Sequence, residues 1–293
     1  MDELDFYRQH SPLTHPGRHR DLLQGLPADP AELSVIINGF LVHRDETVWR
    51  HGFELPETRR AEADTRYVEA ILDRVGPLVE RPPEQRYAGT CRDFTVLLCA
   101  MLREAGIPAR ARCGFAGYFA EGYYDDHWVV ELWQDGRGWR LVDAQVAGAP
   151  QGTYKAAIDP LDVPRDRFVV AGQAWRDCRA GRRDPDRFGV SVANLAGMWE
   201  IQGNVVRDLA NLNRVETLPW DNWELIPVHY DRLGEAEREL LDRAAQVGAD
   251  GGPLDQAIAL YEGDPRLRVP AQLYQRTADQ AAAEAPRGGQ APT

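Results

Sequence analysis

The chain has 293 residues and a formal net charge of −12, which argues against nucleic acid or an anionic membrane as the main partner, since both call for a basic surface. At this length one catalytic core with helical elaborations, or two closely packed lobes, is expected. Cys91, Cys99, Cys113 and Cys178 form no CxxC pair and no dense framework, so neither a structural zinc site nor a disulfide-stapled secreted domain is indicated.

Met1-Asp2-Glu3-Leu4-Asp5 is acidic with no apolar segment behind it, and no run approaches the roughly 18 apolar residues of a membrane span. A cytoplasmic protein with reduced thiols is expected. Residues 1–80 read as a helical lead-in, clearest over Ala31–Val42, where Leu33, Ile36, Ile37, Phe40 and Leu41 repeat at helical spacing after Asp29-Pro30. His10, His15 and His19 suggest a metal, but Pro16-Gly17 interrupts the helical turn that would align the last two, and no metal or organic cofactor is expected. A second helix is predicted over Thr58–Val75, stopped by Gly76-Pro77, after which Arg81-Pro82-Pro83 forces an extended approach.

The segment 81–150 carries the chemistry. Phe94, Leu97, Leu98, Met101, Leu102 and Ala105 mark an amphipathic helix from Cys91 to Ala105, ended by Gly106 and Pro108, with Cys91 in its first turn and Asp93 suited to the positive end of the dipole. Strands are predicted over Ala109–Tyr118, His127–Trp133 and Trp139–Gln145. A three-residue loop at Gln134-Asp135-Gly136 places His127 directly opposite Asp143, with Cβ atoms about 4.5–5.5 Å apart; a two-residue loop separates their faces.

Residues 151–277 read as mainly helical and Trp-rich, covering the active site, with helices over Asp166–Cys178, Met198–Asn211 and Glu235–Val247. Residues 278–293 lack large apolar side chains and read as a disordered tail. Trp175, Trp199, Trp220 and Trp223 could wall a cleft, although core packing is the commoner use of tryptophan. Tyr124, Asp126, Trp128, Trp199, Trp220 and Asp221 are the candidate substrate-binding residues; the tyrosines of 121–126 could equally sit on a solvated loop.

A cysteine at a helix start attacks an acyl carbon as thiolate, a nearby imidazole takes and returns the proton, and a carboxylate orients that imidazole. Cys91, His127 and Asp143 supply these groups in one chain order. Backbone N–H groups at the helix start would hold the oxyanion, with Gln85, Tyr87 and Trp49 as upstream candidates for a side-chain donor.

Gly89-Thr90-Cys91-Arg92-Asp93-Phe94, Gly106-Ile107-Pro108-Ala109-Arg110, Asp126-His127-Trp128-Val129-Val130-Glu131-Leu132-Trp133 and Gly138-Trp139-Arg140-Leu141-Val142-Asp143 resemble the core of the transglutaminase-like superfamily, from Tyr87 to Ala147. The resemblance implies an α+β, papain-like fold with a nucleophile helix on an antiparallel sheet. It also implies Cys91 as nucleophile, His127 as general base and acid, and Asp143 as orienter. Trp128 directly after His127, and Ala144-Gln145 after Asp143, depart from the commoner pattern and bear on specificity. The expected activity is acyl transfer from a small-molecule or peptide amide through a Cys91 thioester, resolved by water or an amine. A cysteine peptidase acting on proteins, or a catalytically silent scaffold binding a peptide or protein partner, are the alternatives.

Overall fold

The computed structural model describes residues 2–274, so the tail expected over 278–293 lies outside the described residues. After α1 (Glu3–Arg8) and the single turn α2 (Arg20–Leu23), α3 (Pro30–Phe40) starts where Asp29 Oδ1 accepts from the N–H groups of Ala31 and Glu32. Pro30 fills a first-turn position that needs no donor. The helix ends before Val42, against expectation. Leu41–His43 instead forms β1, because β2 (Tyr87–Gly89) offers a parallel partner in the register Leu41 to Tyr87, Val42 to Ala88 and His43 to Gly89.

The helix expected over Thr58–Val75 is also broken. Following α4 (Thr47–His51), α5 (Glu57–Arg60) and a 3-10 turn at Ala61–Asp64, Thr65 and Tyr67 are extended, and α6 (Val68–Val75) begins afresh. The carbonyls of Thr65 and Arg66 accept from the buried Arg92 guanidinium at 3.4 and 2.6 Å. Bonds to a buried cation thus replace helix bonds.

Helix α7 (Cys91–Glu104) buries Phe94, Leu97, Leu98, Met101 and Leu102 against Ala109, Ala111 and Cys113 of β3 (Ala109–Ala116) and Trp128, Val130 and Leu132 of β4 (Tyr124–Gln134). Each such side chain contributes about 1.5–3 kcal/mol on leaving water, so this seam anchors the nucleophile helix to the sheet. Ala105, counted in the stripe from sequence, is the exposed C-cap.

Strand β5 (Gly138–Val142) returns antiparallel to β4, with Gln134 paired to Gly138 and Val130 to Val142. The hairpin loop is therefore Asp135-Gly136-Arg137, one position later than expected, because Gly136 and Gly138 supply the positive φ values, 77° and 78°, that the turn uses. Continuing this ladder would set Asp143 opposite Val129. His127 lies two residues from Val129 on the same pleat face, so it meets Asp143 diagonally instead of directly.

After α8 (Ala144–Ala147), residues beyond 151 extend the same sheet. Strand β6 (Phe168–Val170) pairs antiparallel with β3, β7 (Phe188–Val190) parallel with β4, and β8 (Leu195–Ala196) antiparallel with β7, giving the order β6-β3-β4-β7-β8, while β5 also pairs with β4. The helix expected over Asp166–Cys178 divides into β6 and α9 (Ala171–Arg179), as Phe168-Val169-Val170 suits a pleated edge better than a helix. Helices α9, α10 (Met198–Leu212), α11 (Glu235–Asp250) and α12 (Leu254–Gly263) build a second core containing Trp175, Phe188, Ile201, Leu209 and Leu240. The fold is α+β, with the Cys91 helix packed on a largely antiparallel sheet.

Candidate active site

Four residues set the start of α7. Thr90 N–H donates to Asp93 Oδ2 at 2.8 Å in a capping box, and Gly89 leaves space for that carboxylate: a Cβ there would meet Asp93 Oδ2 at 2.7 Å. Arg92, fully buried, donates to the carbonyls of Thr65, Arg66, Glu216 and Thr217. Cys91 is thereby held at the positive end of a 14-residue helix with 8% of its surface exposed.

His127, on β4, and Asp143, at the N-cap of α8, are both buried. His127 Nε2 lies 2.9 Å from Asp143 Oδ2, which also accepts from Tyr118 Oη at 2.6 Å, while Oδ1 accepts the backbone N–H groups of Gln145 and Val146, each at 3.1 Å. The carboxylate therefore accepts Nε2–H of the imidazole and leaves Nδ1 for the thiol. Phe119 packs edge-on against the His127 ring at 5.0 Å between centroids and fixes its plane.

The Cys91 thiol faces two imidazoles, His127 and His43, both of which act on its charge. Burial pushes the thiol up, but the two imidazoles outweigh it and the net shift is downward. Burial alone would lower His127; the Asp143 charge and hydrogen bond, with the Cys91 contact, carry it well above the ordinary histidine value. Burial raises Asp143, and His127, Tyr118 and the Val146 N–H reverse that shift. Together these directions favour a thiolate–imidazolium pair. Cys99 and Cys178 differ: burial pushes each up to about 12, and Cys113 is also raised.

His43 is the residue that the sequence reading missed. It sits at the end of β1, in register with Gly89, and the Arg44 N–H donates to the Gly89 carbonyl at 2.8 Å. Of the upstream donors expected from sequence, Tyr87 gives its hydroxyl to the Glu62 carbonyl, and Trp49 is exposed, edge-on to Tyr154. Gln85 and Tyr87 line a cleft of about 600 Å³ with Arg59, Glu62, Arg74 and Arg81, and Cys91 is not among its walls.

The expected substrate-binding residues divide. Trp128 is buried in the seam with Cys91, and Asp126 accepts from Asn204 Nδ2 at 2.7 Å. Burial raises the Asp126 carboxyl against the opposing charge of Arg207, and its charge is felt at Cys91. Glu200, not singled out from sequence, is buried beside it, and burial followed by the Asp126 charge pushes it up to about 7. Trp220 is part-exposed beneath Arg44, whose guanidinium lies 4.5 Å from its ring centroid. The others serve elsewhere: Tyr124 stacks on Phe188, Asp221 pairs with Arg66, and Trp199 is part-exposed with its indole N–H on the Ala196 carbonyl. Trp175 and Trp223 belong to the second core. His10 contacts Glu104, His15 accepts from Gly17 N–H and His19 contacts Asp73. No group of three or more His, Cys, Asp or Glu placed to hold a metal occurs among the described residues.

Residues 59–144 match the family model described as the transglutaminase-like superfamily. A stretch of 132 residues is 35% identical to a protein-glutamine gamma-glutamyltransferase of Pseudomonas aeruginosa, covering 40% of this chain and 20% of that protein. The chain thus spans about a fifth of the curated relative. Among solved structures, a candidate cysteine protease from Cytophaga hutchinsonii aligns over 58% of this chain and 46% of its own, with 17% identity and a TM-score of 0.34. The periplasmic domain of TgpA from Pseudomonas aeruginosa aligns over 53% of each chain, with 25% identity and a TM-score of 0.32.

Proposed function

We propose that the chain, whose residues 59–144 match the transglutaminase-like superfamily model, is a cysteine acyl-transfer enzyme acting on an amide through a Cys91 thioester. The carrying observation is that Cys91, at the N-terminus of α7, faces His127, whose Nε2 lies 2.9 Å from Asp143 Oδ2. The Cys91 sulfur attacks the acyl carbon, His127 gives its proton to the leaving nitrogen, and water or an amine then resolves the thioester while His127 takes the proton back. The relative's name points to a glutamine carboxamide in a protein or peptide as donor. The negative charge of Asp126 beside the thiol, with Glu200 near it, suits a cationic amine acceptor better than an anionic one. A cytoplasmic location is part of the proposal.

Iodoacetamide at neutral pH, read by peptide mass spectrometry, is expected to label Cys91 well before Cys99, Cys113 or Cys178; equal rates would defeat the reading. Hydroxylamine added with cell extract is expected to yield hydroxamates that Cys91→Ala does not produce. The exposed Trp199 and Trp220 favour the silent-scaffold alternative; partner binding unaffected by Cys91→Ala, with no hydroxamate from the wild type, would support it.

A further inference from the structure

Two imidazoles on one thiol cannot both be its base, and their far nitrogens tell them apart. His127 Nε2 faces the Asp143 carboxylate, so that nitrogen carries the hydrogen and Nδ1 is free to accept a proton. The opposite holds at His43. Its Nδ1 accepts the Asp45 N–H at 3.3 Å, so the neutral ring carries its hydrogen on Nε2. Were His43 protonated, Nε2 would still carry one. In either state this nitrogen is a donor.

The backbone places His43 beside the nucleophile. The parallel pairing of β1 with β2 puts His43 opposite Gly89, two residues before Cys91, and the Arg44 N–H to Gly89 carbonyl bond closes the ladder just beyond it. The groups that face His43 are Cys91, the Asp45 N–H and the charges of Glu46 and Asp45. Glu46 is held by Gln145 Nε2 at 2.9 Å and by the Tyr154 hydroxyl at 2.5 Å, and Gln145 lies two residues after Asp143. The carboxylate whose charge acts on His43 is thus held by a residue near the one that orients His127.

We propose that His43 is a catalytic residue, the side-chain donor of the oxyanion hole, acting with the Cys91 backbone N–H. The inference rests on the acyl-transfer reading of Cys91. When the sulfur bonds to the acyl carbon, the carbonyl π pair moves to oxygen, and that oxygen sits one atom from the sulfur that His43 faces. Collapse of the intermediate restores the carbonyl and breaks the bond to the leaving group, which in an amide takes the proton held by His127. His43 gives no proton away in the cycle, which separates its role from that of a base.

The test compares two chemistries at the same sulfur in the full chain. Attack on 4-nitrophenyl acetate forms an oxyanion and releases 4-nitrophenolate as the acetyl thioester forms; alkylation by iodoacetamide forms none. His43→Met, apolar and of similar reach, is expected to slow the nitrophenolate burst about 10²-fold. On the high-pH plateau of each protein's own profile, where the thiol is fully ionised, its alkylation rate is expected to change by less than about a factor of three. His43→Gln, which keeps a donor, is expected to recover about tenfold of the loss. A burst unchanged in both variants, or equal losses in both chemistries with thermal unfolding at the wild-type temperature, would overturn the proposal. If wild type gives no faster burst than Cys91→Ala, the acyl-transfer reading itself fails; a burst that needs Cys91 and not His43 removes the His43 assignment alone.

Discussion

Asp143 accepts four hydrogen bonds, two on each oxygen, and is therefore fixed in rotation as well as charge. Asp143→Asn would turn an amide N–H toward His127 or force the other tautomer, so the acylation rate with 4-nitrophenyl acetate is expected to fall about 10³–10⁴-fold with little change in fold. A companion prediction concerns the thiol. Because His127 and His43 outweigh burial at Cys91, its alkylation should persist as pH falls below the ordinary thiol range, and Asp143→Asn should move the midpoint upward; pH-dependent labelling reads both. His127 and Asp143 were legible in the sequence because they lie on one hairpin, where pleat parity survives a register error of two residues. His43 was not, because its approach to Cys91 depends on parallel pairing of two short strands separated by three helices, α4 to α6. A lone histidine after an apolar run carries no local sign of that pairing.

At the scale of elements, the start of α7 is clamped from inside and outside. Gly89→Ala would drive a Cβ into Asp93 and displace the carboxylate from the Thr90 N–H. Loss of that cap is expected to cost about 1–2 kcal/mol in urea unfolding, accompanied by slower Cys91 alkylation. Arg92→Met would strand the carbonyls of Thr65, Arg66, Glu216 and Thr217, which only the guanidinium reaches together. A loss of about 3–5 kcal/mol is expected. The helix itself was readable from its 3.6-residue period. The break in the preceding helix was not, because its cause is a side chain more than twenty residues away whose burial no local pattern announces. The 168–170 strand was misread for a related reason: it is itself the sheet's edge, and the open side of β3 that it pairs with is revealed only by the assembled sheet.

Across the whole molecule, one buried ionic cluster joins the sheet to the second core. Glu131 accepts from Arg110 at 2.7 Å and Arg112 at 2.8 Å, Arg165 adds a third contact, and Arg112 continues to Asp208 on α10 at 2.8 Å. Burial raises the Glu131 carboxyl, but the arginines reverse this and hold it well below the usual carboxylate range. The folded state therefore binds fewer protons than the unfolded state below the ordinary glutamate value. Its contribution to stability is fully present above about pH 5 and declines as pH falls through about 4.3 and below. Thermal unfolding of Glu131→Gln should show a shallower acid decline than wild type, and a loss of about 3–5 kcal/mol at neutral pH from unpaired buried arginines. From sequence, Glu131 was one residue of a predicted strand; its partners on β3 and in the 165 turn come together only in the fold.

The pairing of β1 with β2 also bears on how this chain could be shortened or recombined. A fragment that began after His43 would retain thiol, base and orienting acid, yet β2 would become an open edge directly before the nucleophile. Such a piece would keep the signature by which the core is recognised while losing the strand that shapes its entrance. Portability and competence would part company there, and the natural unit of exchange is the longer segment that includes Leu41–His43.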